Sequence, residues 1–350
     1  MGRPNLFSFA TSELSQDAFL CWLAALADHD DADLQQLGQS FIAWLWQQAR
    51  GASVEPNRVR LLRSPERQVD HVDILFEAEI AGTRALFLIE DKTETSHHSG
   101  QLERYLKAVS HAEVVPVYFK TGYHFGTDTA ATAAGYTVVG LDEWVAFLKA
   151  QTARSDIFDD YSTYVAGLHA KRSEALSVLL TPEGYKRFDE DFVQYEFMRR
   201  VANSCSSFIG RRSTYRGRSL GGKPWTQHLF AEFEHALPTR LKESLFYRLD
   251  RRTGGWYLAI RQYAKVQAAD AARAVKLARL AEYRRQFDCV LSIIEGRPVF
   301  KQPSTDRQGK NESEVAVLFF DDATNTTSRV LEALPRIHEA FLSAIRASRG

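Results

Sequence analysis

Four residues in this chain have the types and spacing to do chemistry together: Asp73, Glu90, Asp91 and Lys92. The last three close an apolar run, Ala85-Leu86-Phe87-Leu88-Ile89, and Asp73 opens another in Val72-Asp73-Ile74-Leu75-Phe76. Successive side chains of a strand point to opposite faces, so Glu90 and Lys92 share one face and Asp91 takes the other. A carboxylate and an ammonium where a buried strand leaves the core are costly unless they pair with each other or with a metal. Phosphodiester hydrolysis needs neutralised phosphoryl oxygens and a nucleophilic water, and a hard cation held by oxygen ligands supplies both. Asp73, Glu90 and the main-chain carbonyl of Asp91 are the expected ligands of Mg²⁺ or Mn²⁺. Lys92 beside them could orient or deprotonate the attacking water, or stabilise developing charge. Asp70 competes with Asp73 as the ligand; the register of Asp73 with Ile74, Leu75 and Phe76 favours Asp73.

Two further segments extend the set. Gln101-Leu102-Glu103-Arg104-Tyr105 opens a helix nine residues after Lys92, and Glu13-Leu14-Ser15-Gln16-Asp17-Ala18-Phe19-Leu20-Cys21-Trp22-Leu23 lies near the N-terminus. Asp73 followed by Glu90-Asp91-Lys92 resembles the PD-(D/E)XK nucleases, the fold of many restriction enzymes and recombination exonucleases. The Gln-x-x-x-Tyr spacing is similar to that of the RecB-like exonuclease branch. The N-terminal segment resembles the first helix of a bacterial group in which a glutamate approaches the metal. The likeness covers roughly the first half of the chain. It implies Glu13 as an auxiliary acid at the metal, Asp73 and Glu90 as ligands, Lys92 as the catalytic lysine, and Gln101 and Tyr105 as substrate-positioning residues. The implied activity is divalent-metal-dependent cleavage of DNA, in bacterial DNA repair or defence against foreign DNA. Val72 stands where the family has its proline, which is not a ligand, and His97-His98 receive no role.

Each of these features also has a plainer reading. Glu-x-Lys on a strand is commonly a solvated ion pair. Gln101 and Tyr105 sit in what could be an ordinary helix with Leu102, Tyr105, Leu106 and Val109 inward. Glu13 could belong to a capping box behind Thr11 or Ser12. His97 and His98 lack a second pair of soft ligands at zinc spacing. Catalytically silent nucleic-acid binding on a nuclease scaffold and RNA cleavage are the alternatives to DNA cleavage, and exonuclease and endonuclease action are not distinguished.

At 350 residues, with 45% hydrophobic and 12% aromatic content, the chain can build two cores. It carries 44 basic and 44 acidic residues, so affinity for nucleic acid must come from a local patch. Phe208 to Trp225 is such a patch: Arg211, Arg212, Arg216, Arg218 and Lys223 occur without an acid, interleaved with Phe208, Tyr215 and Trp225. Arginines pair with phosphates and aromatics stack on bases, which suits a nucleic-acid-contacting loop; a solvated surface connection is the other reading. No apolar stretch is long enough to span a bilayer and no signal pattern opens the chain. Cys21, Cys205 and Cys289 are few and far apart, which fits a reducing compartment, and cytoplasm is the expected location.

The elements that must position these residues follow from periodicity. Helices are expected over 12–28 and 31–49, strands over 59–62, 70–79 and 84–92, a helix over 101–108, strands over 114–119 and 136–141, and a helix over 143–150 capped by Asp142. That is an α/β layout, a mixed central sheet flanked by helices, and it fits a restriction-endonuclease-like catalytic domain over 1–150. A helical connection over 151–205 would carry the chain out of that core. Residues 183–201 read as helix within that connection, and a mixed α/β accessory domain follows over 206–350, with a Gly-Gly hairpin between 245–249 and 256–263, helices over 268–287 and 327–349, and a strand over 315–320. This second half could select substrate or sense a trigger, or it could cover the nuclease sheet or mediate self-association. No ATPase motif is present, so unwinding would fall to a separate helicase or another defence component.

Overall fold

The computed structural model describes residues 4–10, 12–69, 72–93, 101–108, 113–125, 128–152, 155–205, 213–219, 221–234, 242–266, 271–301, 303 and 311–348. The chain divides into two compact units, Met1–Arg172 and Ser173–Gly350.

The first unit opens with helices α1, Glu13–Ala25, and α2, Ala32–Arg50. Asp31 starts α2 by accepting from the main-chain N–H of Asp33 and Leu34, and Gly51, in the left-handed region at φ 68°, ends it. Gly38 lets α2 lie against the turn after α1: a Cβ there would stand 2.2 Å from the Ala27 nitrogen. Five strands form one mixed sheet in the order β1-β2-β3-β4-β5. They are β1, Val59–Val69; β2, Val72–Ile80; β3, Thr83–Lys92; β4, Val114–Lys120; and β5, Thr137–Gly140. The first three are antiparallel, and β3, β4 and β5 run parallel. Ala81 at φ 52° and Gly82 at φ 90° make the tight turn between β2 and β3, where the sequence places a hairpin.

Strand β1 continues well past Leu62. Its pairing with β2 shifts around Arg63 and again before Glu66, so the edge strand absorbs Pro65 in an irregular stretch where an interior strand could not. Pro116 is accommodated within β4, whose pairing with β5 begins one residue later at Val117.

Helices cover both faces of this sheet. On one face α1, α2 and α5, Leu141–Ala150, bring Phe19, Leu23, Phe41, Leu45 and Trp144 onto Phe76, Phe87, Ile89 and Phe119. On the other, α3, Gln101–Ala108, and α4, Asp128–Ala133, place Leu102, Tyr105 and Ala131 over Leu86, Leu88 and Tyr118. The expected cap of α5 is corrected: Gly140 is the N-cap, with the Glu143 carboxylate accepting its N–H at 3.2 Å. Asp142 lies inside the first turn and pairs with Arg172 and His169. The first part of the segment expected to leave the core packs into it, and the chain passes to the second unit only after Arg172. Helix α6, Asp156–Val178, buries Phe158, Tyr161 and Val165 in the first core, because apolar residues at helical spacing lie among its charges.

The second unit is a five-stranded antiparallel sheet in the order β10-β9-β8-β7-β6. Its strands are β6, Ser213–Arg218; β7, Pro224–Glu234; β8, Lys242–Arg252; β9, Gly255–Ala264; and β10, Glu312–Phe319. Helices α7, Asp191–Ser204, α8, Ala271–Ile293, and α9, Thr327–Ala347, build its core, with Phe197, Tyr283 and Phe341 among the buried side chains facing Phe230, Leu245, Leu258 and Leu318. The Gly-Gly hairpin is present between β8 and β9, with Gly255 at φ 105°. Among the described residues no helix is long and apolar enough to cross a membrane.

Candidate active site

The site forms where β3 leaves the sheet. Leu86, Leu88, Glu90 and Lys92 alternate onto the face covered by α3, while Phe87, Ile89 and Asp91 face α1 and α2. Three oxygens surround one atom, the Lys92 Nζ: Asp91 main-chain O at 2.7 Å, Glu90 Oε1 at 2.8 Å and Asp73 Oδ2 at 3.0 Å. The same Asp73 oxygen accepts the Asp91 N–H at 2.9 Å, which ties β2 to the end of β3. Asp73, Glu90, Asp91 and Lys92 are thus brought together as the sequence pattern requires. Glu13, on α1, meets the chain one residue beyond Lys92, its Oε1 accepting the Thr93 N–H at 3.1 Å. Tyr105 is buried in the small core on the Glu90 side of the sheet. Gln101 is the first residue of α3, and its side chain lies outside the described residues, as do Asp70, His97 and His98.

Electrostatics follow from this crowding. Two carboxylates share one ammonium in a place where Glu90 is fully buried. Burial, followed by the negative charge of Asp73, pushes the Glu90 carboxyl up to about 7 against the pull of Lys92. Burial alone would depress the Lys92 ammonium, but Glu90 and then Asp73 hold it above the ordinary lysine value. Lys92 therefore stays charged at neutral pH, and its chemistry is that of a donor.

Asp73, Glu90 and the Asp91 carbonyl are the residues that could hold a divalent cation here. The ammonium already sits among three oxygens as a cation would, and Mg²⁺ takes one or two carboxylates with waters completing its shell. Among the described residues no three His, Cys, Asp or Glu side chains are gathered into a metal cage. The set here is two carboxylates and a carbonyl, which is sparse, hard and oxygen-only.

The α1 side of β3 holds polar residues that sequence patterns did not single out. Gln16 and Asp17, one helical turn from Glu13, are buried and meet Asp91 from below the strand. Burial, then the neighbouring Asp17 charge, raises the Asp91 carboxyl well above the usual range; burial likewise lifts Asp17 to about 6. Lys120, in register with Lys92 on β4 and buried, reaches the Thr93 carbonyl at 3.5 Å. A signal for Lys120 exists in the sequence, since an apolar strand ending in lysine repeats the end of β3. Gln16 and Asp17 carry one only once α1 is placed against β3.

Among its described residues the basic segment forms a β-hairpin. Ser213–Arg218 and Pro224–Glu234 pair as strands, and Gly217 is needed there because a Cβ would stand 2.5 Å from the Trp225 ring. Arg248 lies over that indole at 3.9 Å from the ring centroid. Its lack of acids in sequence is offset in space: Arg218 pairs with Asp191 at 2.7 Å and Arg216 with the same carboxylate at 3.6 Å, while Lys223 approaches Asp189 at 3.5 Å. Tyr215 is exposed, on the opposite face of β6 from Arg216. Arg211 and Arg212 lie outside the described residues.

No protein-family model, curated protein or solved structure matches this chain.

Proposed function

We propose that this chain is a divalent-metal-dependent nuclease of the PD-(D/E)XK type that hydrolyses DNA phosphodiester bonds. The observation that carries the reading is the convergence of Asp73, Glu90 and the Asp91 carbonyl on the Lys92 ammonium at the end of the central strand. A restriction-endonuclease-like core is supported by the mixed five-stranded sheet with helices on both faces. Asp73, Glu90 and the Asp91 carbonyl would hold Mg²⁺ or Mn²⁺, with Glu13 as the auxiliary acid. When bound, the ion supplies a Lewis acid for the phosphoryl oxygens and lowers the pKa of a coordinated water.

The protein's own groups do the rest. Lys92, kept as an ammonium, donates to the negative charge that develops on the phosphoryl oxygens. The Asp91 N–H holds Asp73 in place. Gln101 and Tyr105 position the substrate. In the second unit, Arg211, Arg212, Tyr215, Arg216, Arg218 and Lys223 are the proposed DNA contacts, and DNA repair or defence against foreign DNA, with a separate helicase or defence partner, is the proposed setting.

The test is cleavage of linear, circular and single-stranded DNA, and matched RNA, with Mg²⁺ or Mn²⁺, beside the Lys92→Ala variant. Metal-dependent cutting that the variant loses by 100-fold or more, on the order expected for a transition-state group, is the predicted result. Undiminished cutting by Lys92→Ala, or none by the wild type on any substrate, would reject the reading.

A further inference from the structure

Asp91 is divided between two jobs. Its main chain belongs to the proposed active site: the N–H donates to Asp73 Oδ2 and the carbonyl accepts from Lys92. Its side chain points the other way, into the interior beneath α1, where a carboxylate is expensive unless it is held. It is held by α1. Gln16 Nε2 donates to Asp91 Oδ1 at 2.5 Å, and Asp17, the next residue of α1, lies near enough for its charge to act on the same carboxyl group.

Gln16 is held in turn. Its Oε1 accepts from Thr121 Oγ1 at 2.8 Å, just past the end of β4, and from Tyr161 OH at 3.2 Å on α6. Trp144 Nε1 donates to that same tyrosine oxygen at 3.4 Å, so the tyrosine hydroxyl hydrogen is left for Gln16. This fixes the orientation of the Gln16 amide, with its oxygen toward Thr121 and Tyr161 and its NH₂ toward Asp91. One buried amide thereby joins α1, β3, the exit of β4 and α6. An apolar residue would fill the space at lower desolvation cost, but it could not hold Asp91 at a fixed rotation.

We propose that Gln16 is a positioning residue of the active site: through the Asp91 carboxylate it sets the two peptide units that flank Asp91, and so the directions in which the Asp91 carbonyl meets the metal and the Asp91 N–H meets Asp73. The proposal rests on the nuclease reading above. Groups that orient metal ligands without touching the metal govern affinity and turnover by about 10–100-fold.

The experiment measures Mn²⁺ affinity by calorimetry and DNA cleavage for the full chain, with a thermal melt for each variant. Gln16→Met keeps the volume and loses all three hydrogen bonds. Thr121→Val removes one of them, and serves if Gln16→Met does not fold. The double exchange Gln16→Glu/Asp91→Asn rebuilds the pair with donor and acceptor reversed, while Thr121 and Tyr161 still donate to the new carboxylate. Mn²⁺ binding about 10–100-fold weaker in Gln16→Met, kcat lowered with KM for DNA unchanged, and recovery of most of the loss in the double exchange are expected. Variants that melt lower but bind Mn²⁺ as the wild type does overturn the positioning role and leave the nuclease reading standing. A wild type that binds no Mn²⁺ overturns both.

Discussion

At the scale of the residue, Lys92 and Glu90 form a buried pair whose charges weigh on stability. Glu90 is fully buried, and burial with Asp73 beside it raises its carboxyl from the ordinary 4.5 to about 7. An acid whose pKa is raised on folding favours the protonated form in the folded state. Its contribution to stability is therefore complete below the ordinary value and is lost as pH rises through 7. Glu90→Gln removes that loss. In metal-free buffer the variant is expected to melt higher than the wild type at pH 8, with a smaller difference at pH 5, and Mg²⁺ should stabilise the wild type alone. Melting curves at the two pH values, with and without Mg²⁺, check this. A wild type that is the more stable protein at pH 8 without metal would mean that Glu90 is simply a partner of Lys92.

At the scale of the element, the hairpin of β6 and β7 carries the clearest lesson. Its arginines and glycines look like a loop because strand propensity is low for such residues, yet cross-strand packing of Trp225 with Gly217 and Arg248 overrides propensity. Asp191, at the start of α7, then engages Arg216 and Arg218. These ion pairs are partly exposed, so each is weak and can be exchanged for a phosphate. Asp191→Asn should tighten DNA binding and steepen its salt dependence, by about 0.9 in log–log slope for each arginine released to a phosphate. Affinities measured across a salt series would show it. An unchanged slope would assign these arginines to the structure of the hairpin rather than to DNA.

At the scale of the whole molecule, the chain divides into two compact units, each with its own five-stranded sheet. A chain of more than one compact unit departs from two-state unfolding when each unit melts by itself. Calorimetry is expected to resolve two transitions, and Mn²⁺ should raise only the one that belongs to residues 1–172, since all the proposed ligands lie there. A shift of both transitions together would show that the two units unfold as one.

Sequence alone determined where β3 ends, because an apolar run that stops at Glu90-Asp91-Lys92 lies on alternate faces of one strand and fixes which side chains share a face. It determined the Ala81-Gly82 turn as well, through the residue types that tolerate positive φ. Helices α1 and α2 were legible from their apolar spacing to within a few residues. Tertiary structure decided everything that depends on residues distant in the chain. It returned α6 to the first core through Phe158 and Tyr161, set Asp191 against arginines that sequence shows without an acid, and placed Gln16 on Asp91, 75 positions away. Local pattern reports a residue's face and period, but the partner that satisfies a buried polar group is chosen by packing, and no window along the chain contains it.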